Sequence, residues 1–211
     1  MVYRRRFVAN TSIILAGLPL IAALPDCLAT PALASPASDR ATAFITATGE
    51  KLVAAINAAG TLEERRVVVG GIINATVDVN GVARFCLGRF WRTATPTQQQ
   101  QYLTLFHDML LNSIAIKLGD YRGVKFTVGG VQERDAGEVV STVVERPNNP
   151  PTNIQWVVSN DPGEPKIVDI IAEGTSLRIT QREDYASYLS QHGNNVEALL
   201  GAIRQQVSQN G

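Results

Sequence analysis

Between residues 38 and 118, apolar residues recur every three or four positions, the period of helices with one buried face. Ser38 or Asp39 can cap a first helix, and Gly60 provides its stop. The apolar positions of this predicted helix are Phe44, Ile45, Leu52, Val53 and Ile56. The spacing therefore predicts that the chain after residue 35 opens with a long amphipathic helix.

Thr61, followed by Glu64, has the sequence of a capping box and predicts a second helix that runs to about Asn74. Two adjacent glycines, Gly70 and Gly71, weaken it by roughly 1.5 to 2 kcal/mol relative to alanine. They either let this helix open or permit close packing against a neighbour, and the sequence leaves both roles open. The residues expected to point inward are Val67, Val68 and Ile72.

Two further helices follow. The third is marked by an apolar face of Val82, Phe85, Cys86 and Phe90. The fourth has three concurring start signals: Thr95 as N-cap, Pro96 at the first helical position and Gln98 three residues after the cap. The wide apolar stripe of this helix predicts that the helix faces a substantial interior. The stripe consists of Tyr102, Leu103, Phe106, Met109, Leu110, Ile114 and Leu118.

After Gly123 the apolar period changes from about 3.6 to 2, which is typical of strands. Short Gly-, Asn- and Pro-containing turns separate four such segments, as in an antiparallel meander. We predict strands over residues 124–128, 138–145, 154–158 and 166–172. Two helices close the chain, one starting near Thr180 with Glu183 in a capping box and one started by Asn194 or Asn195.

A run of helices, then strands, then two helices predicts an α+β fold in which helices cover the apolar face of a four-stranded antiparallel curved sheet. A curved sheet of this kind can fill its concave side with side chains or enclose an apolar pocket there. The hydrophobic pattern alone does not distinguish a filled interior from a hollow one.

The first 34 residues resemble an export signal, so that residues 35–211 form a single domain. Arg4, Arg5 and Arg6 give a basic start, residues 13–24 an apolar core too short to span a bilayer, and residues 32–34 a small-residue cleavage site. The three arginines also fit a twin-arginine export motif, although an ordinary basic start is the favoured interpretation.

Charge and cysteine content exclude several classes. Without the three arginines and one aspartate of the export segment, the chain has 16 Lys and Arg against 18 Asp and Glu, a net charge of −2. This balance gives no polybasic surface for nucleic acid. Cys86 is then the single cysteine, which precludes an internal disulfide and favours a small buried hydrophobe over a redox role.

Catalytic and metal-binding patterns are scarce. His107 and His192 have no cysteine or carboxylate at ligand spacing, so no metal site is predicted. Asp169 lies in an apolar strand and could act as a general base, but alternation groups it with Ile167 and Ile171 on the face away from the interior. Four arginines could meet a lipid phosphate or an acidic partner, or stay solvated: Arg84, Arg89, Arg92 and Arg146.

Several short segments together resemble the MlaC-like family of periplasmic lipid carriers, also called toluene-tolerance auxiliary proteins, with its hopanoid-associated HpnM branch. The resemblance extends over nearly all of the chain after residue 40. The segments that carry it are Asp78-Val79, Arg84, Leu87-Gly88-Arg89, Trp91-Arg92, Thr95-Pro96, Gln98-Gln99, Tyr121-Arg122-Gly123, Val144-Glu145-Arg146, Ile167-Val168-Asp169, Glu173-Gly174-Thr175-Ser176-Leu177 and Tyr185.

The resemblance implies a monomeric periplasmic carrier without catalytic residues or cofactor, whose cargo is a phospholipid or a hopanoid-type lipid. It also implies docking to an inner-membrane ABC transporter complex with MCE-domain proteins and to an outer-membrane lipoprotein complex. The residues expected to line the lipid site are Phe44, Leu103, Phe106, Leu110, Ile114, Phe126, Val128, Val140, Val144, Ile154, Trp156, Val158, Val168 and Ile170.

Two alternatives from other classes stay open at this point. One is an enzyme on a cone-shaped α+β fold that acts on a small apolar substrate with Asp169 as base. The other is an adaptor that binds membrane transport proteins and carries no lipid.

Overall fold

A computed structural model describes residues 35–58, 60–159 and 163–210, and the predicted export signal lies outside these ranges. Within them the helices are α1 (Pro36–Ala58), α2 (Leu62–Thr76), α3 (Val79–Leu87), α4 (Pro96–Leu118), α5 (Leu177–Gln191) and α6 (Val196–Asn210), with 3₁₀ turns at Gly88–Arg92 and Gly119–Tyr121. The strands are β1 (Lys125–Arg134), β2 (Gly137–Glu145), β3 (Thr152–Val158), β4 (Ile167–Ala172) and β5 (Thr175–Ser176).

The predicted α+β class and the antiparallel meander are confirmed. The strands pair in sequence order, β1-β2-β3-β4-β5, and every neighbouring pair is antiparallel. The described sheet differs from the prediction in its fifth, two-residue strand and in β1, which continues to Arg134 rather than ending at Val128. The register of β1 shifts between Val128 and Val131, where two glycines interrupt the apolar alternation and conceal the second half of the strand from pattern analysis.

Two predicted helix starts are confirmed in detail. Thr61 accepts a hydrogen bond from the backbone N–H of Glu64, and the Glu64 carboxylate accepts one from the N–H of Thr61 at 2.8 Å. Thr95 and Gln98 form the same reciprocal pair at the start of α4, with Pro96 at the first helical position. Each box satisfies backbone donors that a helix start otherwise leaves unpaired.

The start of α1 lies earlier than predicted, at Pro36 rather than after Ser38 or Asp39. The hydroxyl of Ser35 accepts the backbone N–H of Ser38 at 3.2 Å. The side chain of Ser38 is buried and donates instead to the Glu138 carboxylate of β2 at 3.1 Å. A residue predicted to cap the helix therefore ties its first turn to the sheet.

The start of α5 was also predicted too late, near Thr180 instead of Leu177. Its N-cap is Ser176, whose hydroxyl accepts from the N–H of Ile179 and donates to the Asp169 carboxylate at 2.6 Å. The cap contact spans only three residues, so Ser176 was a local start signal, and the capping-box pattern of Thr180 with Glu183 competed with it.

The inward face of α2 differs from the prediction. Val69 and Ile73 are buried, whereas Val67 is 66% exposed and Val68 47% exposed. A Cβ placed on buried Gly70 would lie 3.4 Å from Leu111 of α4, so this side of α2 approaches α4 closely. Three consecutive valines fit more than one helical face, and the contact with α4 decides between them.

The helices pack around a core that involves α2 to α6. Tyr102 of α4 is fully buried at its centre and donates its hydroxyl hydrogen to the carbonyl of Ala83 at 2.8 Å. Burial raises the pKa of Tyr102 well above its usual value, so the hydroxyl remains a neutral donor. Leu189 of α5 and Leu200 of α6 are also fully enclosed in this cluster.

Cys86 lies in the same core and is 1% exposed. Its thiol has one weak polar contact, with the Arg178 carbonyl at 3.6 Å. Burial, with a smaller effect from the Asp169 charge, raises the pKa of Cys86 to about 12. The thiolate, which is the reactive form of cysteine, is therefore strongly disfavoured in the folded protein near neutral pH.

The two glycines of α2 should respond differently to alanine. A Cβ on Gly71 would meet nothing within 4 Å, so Gly71→Ala should raise the free energy of unfolding by about 0.5 to 1 kcal/mol through helix propensity. Gly70→Ala, which adds a methyl group against Leu111, is the matched control and should gain less. Urea denaturation measures both, and a destabilised Gly71→Ala variant would contradict the helix described here.

We also expect Cys86 to be inert in the folded state. In a Cys27→Ser variant, where Cys86 is the single thiol of the chain, reaction with a chromogenic disulfide reagent at pH 8 should be negligible in buffer and complete in denaturant. Rapid labelling of the native protein would show that α3 and α5 do not enclose the thiol.

Candidate functional site

The inner face of the sheet is the face covered by α1, and it carries an apolar cluster beside the first half of that helix. Ala41 and Ile45 of α1 pack there with Val140, Val158 and Ile167 of the sheet, and all five are buried. Partly buried residues that complete this N-terminal cluster are Phe44, Val77, Phe126, Val128, Val131, Trp156 and Ile170.

A second cluster lies beside the last turns of α1. Its buried members are Ile56 of α1, Val124 before β1 and Val144 of β2. Partly buried residues that complete this C-terminal cluster are Val53, Leu118, Tyr121, Phe126 and Ile154. The two clusters share Phe126, so a continuous apolar layer separates α1 from the sheet.

Most of the residues predicted to line the lipid site meet in this layer. Strand pairing places alternate residues of neighbouring strands on one face, as in the pairs Val140 with Trp156 and Trp156 with Ile170. The predicted residues found in the two clusters are Phe44, Phe126, Val128, Val140, Val144, Ile154, Trp156, Val158 and Ile170. Their contact with lipid stays a prediction.

The four α4 residues of the predicted lining lie elsewhere. They belong to the helical core, where α4 packs against α2, α3 and α6, and they are Leu103, Phe106, Leu110 and Ile114. Val77 and Leu118 each pack against both the helical core and one cluster of the inner layer. The apolar interior is therefore connected, but α1 rather than α4 covers β1 and β2.

Val168 does not follow the predicted alternation. The register between β3 and β4 shifts, so that Val158 pairs with Ile167 while Val157 pairs with Asp169. The extra residue in β4 brings Ile167 onto the inner face with Ile170 and leaves Val168 out of both clusters. The prediction that Ile167 lies on the opposite face was wrong for this reason.

Sequence reasoning also missed the small residues of α1. Ala41, Ile45 and Gly49 are spaced by four and are all buried, a stripe that marks close approach of the helix to the sheet. Gly49 lies directly against the Phe126 ring. Small residues four positions before and after Ile45, on the same face of the helix, are the signal that could have identified this contact.

The polar groups inside the layer have internal partners. The indole N–H of Trp156 donates to the hydroxyl of Thr142 at 2.9 Å, and that hydroxyl donates to the Ile154 carbonyl at 3.0 Å. Trp156 also makes an edge contact with Phe126, with ring centroids 6.3 Å apart. An apolar guest in this layer would therefore need no polar partner from these side chains.

Asp169, the candidate base, is buried on the opposite face of the sheet, between β4 and α5. Its carboxylate accepts hydrogen bonds from the Ser176 hydroxyl and the N–H groups of Ile170 and Arg178, at 2.6 to 3.2 Å. The Arg178 guanidinium lies 3.4 Å away. These contacts make Asp169 a cap for α5, and they direct both oxygens away from the inner layer.

Three of the four candidate arginines lie at the surface, whereas the partly buried Arg146 stacks on the ring of Tyr121, which packs against the C-terminal cluster. Arg84 and Arg89 are exposed and stack on the rings of Trp91 and Phe90, and Arg92 is also exposed. Within the described ranges, no group of three His, Cys, Asp or Glu side chains could hold a metal ion. The helices of those ranges also include none that is long and apolar enough to cross a membrane.

A cavity of about 400 Å³ opens on the outer face of the sheet, away from α1. Its walls include outward-facing polar residues of β2 and β3. The lining residues are Gly129, Ser141, Thr142, Val143, Asn153, Ile154, Gln155, Glu173 and Gly174. Polar residues such as Ser141, Asn153 and Gln155 make this surface more polar than the inner layer.

Comparison with known proteins agrees with this geometry. The model of the family described as MlaC protein matches residues 46–205. The toluene tolerance protein Ttg2D of Pseudomonas putida is 24% identical over 131 residues, and the match covers 61% of each chain. A phospholipid-binding protein from Ralstonia solanacearum, solved in complex with a phospholipid, superposes with a TM-score of 0.72 at 26% identity, over 80% of this chain and 97% of that one. The chain belongs to the MlaC family.

Proposed function

We propose that this protein is a lipid carrier that holds acyl chains between α1 and the inner face of the sheet. The observation that supports it best is the continuous apolar layer of the two clusters, whose polar groups already have partners. The Ralstonia protein of the same fold was solved with a phospholipid bound. A phospholipid is therefore the first cargo to test, with a hopanoid-type lipid as the alternative.

The energetics of acyl chains explain the need for such a layer. Each methylene removed from water contributes about 0.8 kcal/mol, so two sixteen-carbon chains represent roughly 25 kcal/mol of gross transfer free energy. Spontaneous transfer of lipid through water is correspondingly slow, because lipid rarely leaves the membrane. A carrier must offer comparable burial and can leave the polar headgroup in solvent, where little recognition is required.

Loading must displace α1 from the sheet on either side of the contact between Gly49 and Phe126. Ile45, Val140 and Val158 are at most 1% exposed, and a Cβ on Gly49 would overlap the Phe126 ring. The described state is therefore closed, and acyl chains would replace contacts between α1 and the sheet with contacts of similar apolar character. Because a similar apolar area would be buried before and after loading, the free energies of the empty and loaded states would be close, and lipid could be both taken up and released.

The proposed place of action of the carrier is the periplasm. Export through the signal at residues 1–34, by the general route rather than the twin-arginine route, would place residues 35–211 in the periplasm as a monomer. There it would shuttle lipid between an inner-membrane ABC transporter complex with MCE-domain proteins and an outer-membrane lipoprotein complex. No cofactor or catalytic residue is required for this role.

Native mass spectrometry of the exported protein tests the proposal. We expect about one lipid molecule for each chain, released by organic solvent and identifiable by its fragments. A protein that is empty and cannot be loaded from vesicles would refute the carrier and favour an adaptor. Release of a chemically altered lipid or small substrate, abolished in Asp169→Asn, would favour the enzyme.

Paired substitutions on β2 locate the cargo. Val144 faces the inner layer, while its neighbour Val143 faces the cavity on the outer side. Val144→Glu should reduce copurified lipid by at least about tenfold, because a carboxylate in the layer disfavours acyl chains, whereas Val143→Glu should keep its lipid. Circular dichroism checks the fold of both variants. Lipid loss in Val143→Glu alone would place the cargo on the outer face, and unfolding of Val144→Glu would identify a packed core at that position.

A further inference from the structure

Phe126 is the residue where the two apolar clusters of the inner layer meet. It lies on β1 opposite Val144, packs with the N-terminal cluster on one side and the C-terminal cluster on the other, and belongs to both. Its ring also makes an edge contact with Trp156 at a centroid distance of 6.3 Å. The ring is therefore held in place by the sheet as well as by the helix.

The backbone of α1 touches this ring. A Cβ on Gly49 would lie 2.6 Å from ring atoms Cδ1 and Cζ, so the contact depends on the missing side chain. A glycine inside a helix costs about 1 kcal/mol relative to alanine, which is consistent with a specific packing requirement here. With the Phe126 ring against the helix backbone, the space between α1 and the sheet is divided at this point.

We propose that Phe126 determines cargo selectivity, by dividing the lipid site into two compartments that each hold one acyl chain and limit its length. This inference rests on the proposed lipid carriage. The N-terminal compartment is bounded by Ile45 and Val158, and the C-terminal compartment by Ile56 and Val144. The ligand class is thus a two-chain lipid whose chains pass on either side of the ring, rather than one broad fused-ring lipid.

Loading assays with phosphatidylglycerol vesicles of either myristoyl or stearoyl chains test this. Removing the ring in Phe126→Ala joins the compartments, so the stearoyl-to-myristoyl loading ratio should rise by about fourfold for each additional methylene that becomes buried. Thr127→Ala is the matched control, because Thr127 is the next residue of the same strand but is exposed and pairs with Val143 on the outer face. Its ratio should equal that of the wild type.

A second pair of variants covers the possibility that Phe126→Ala does not fold. Gly49→Ala pushes against the ring and should lower the ratio, and Phe126→Leu in the same chain should restore it, because a smaller side chain relieves the overlap. Loaded variants with unchanged ratios would overturn the inference while leaving lipid carriage intact. A wild-type protein that takes up neither lipid would overturn both.

Discussion

The apolar inner face of the sheet must be covered, and α1 is the helix that covers β1 and β2. Without that helix, side chains such as Val140, Val158 and Trp156 would form an exposed apolar surface of a size that soluble proteins rarely leave open. The interaction is non-directional, at about 25 cal/mol for each Å² of apolar area buried. The same property that holds α1 on the sheet would let an acyl chain compete with α1 for this face.

Polar contacts fix the two ends of α1 and leave its middle apolar. Near the start, Ser38 donates to Glu138 and the Arg40 guanidinium donates to the Gly163 carbonyl at 3.0 Å. Near the end, the Asn57 side chain accepts from the N–H of Gly123 at 3.2 Å. Between these anchors the helix meets the sheet through apolar contacts, so separation on either side of the Gly49–Phe126 contact would break none of these hydrogen bonds.

The opposite side of the molecule forms a more rigid support. Asp169 joins β4 to the start of α5, and Tyr102 joins α4 to α3 inside the helical core. Deeply buried hydrogen-bonded groups of this kind resist local opening, because an unpaired polar group would be left in an apolar environment. Motion that admits cargo is therefore expected between α1 and the sheet rather than within the helical core.

The sequence was a reliable guide wherever local chemistry decided the structure. The capping boxes at Thr61 and Thr95 needed only neighbouring residues, and alternation placed the inner-face residues of β2 and β3 correctly. Prediction from the sequence failed where contacts between helices and strands determined the structure. The extra residue at Val168 depends on the pairing of β4 with β3, and the inward face of α2 depends on its contact with α4. An amphipathic pattern also could not show that α4 faces other helices, which is why its predicted lining residues lie in the helical core.

The most direct measurement of the central claim is site-resolved photo-crosslinking with a phospholipid that carries a diazirine in an acyl chain. Crosslinks are expected in α1, at residues such as Phe44 and Ile45, and at inner-face residues of the sheet such as Trp156. Crosslinks confined to the outer cavity, for example at Ser141 or Glu173, or to α4 alone, would contradict lipid binding between α1 and the sheet.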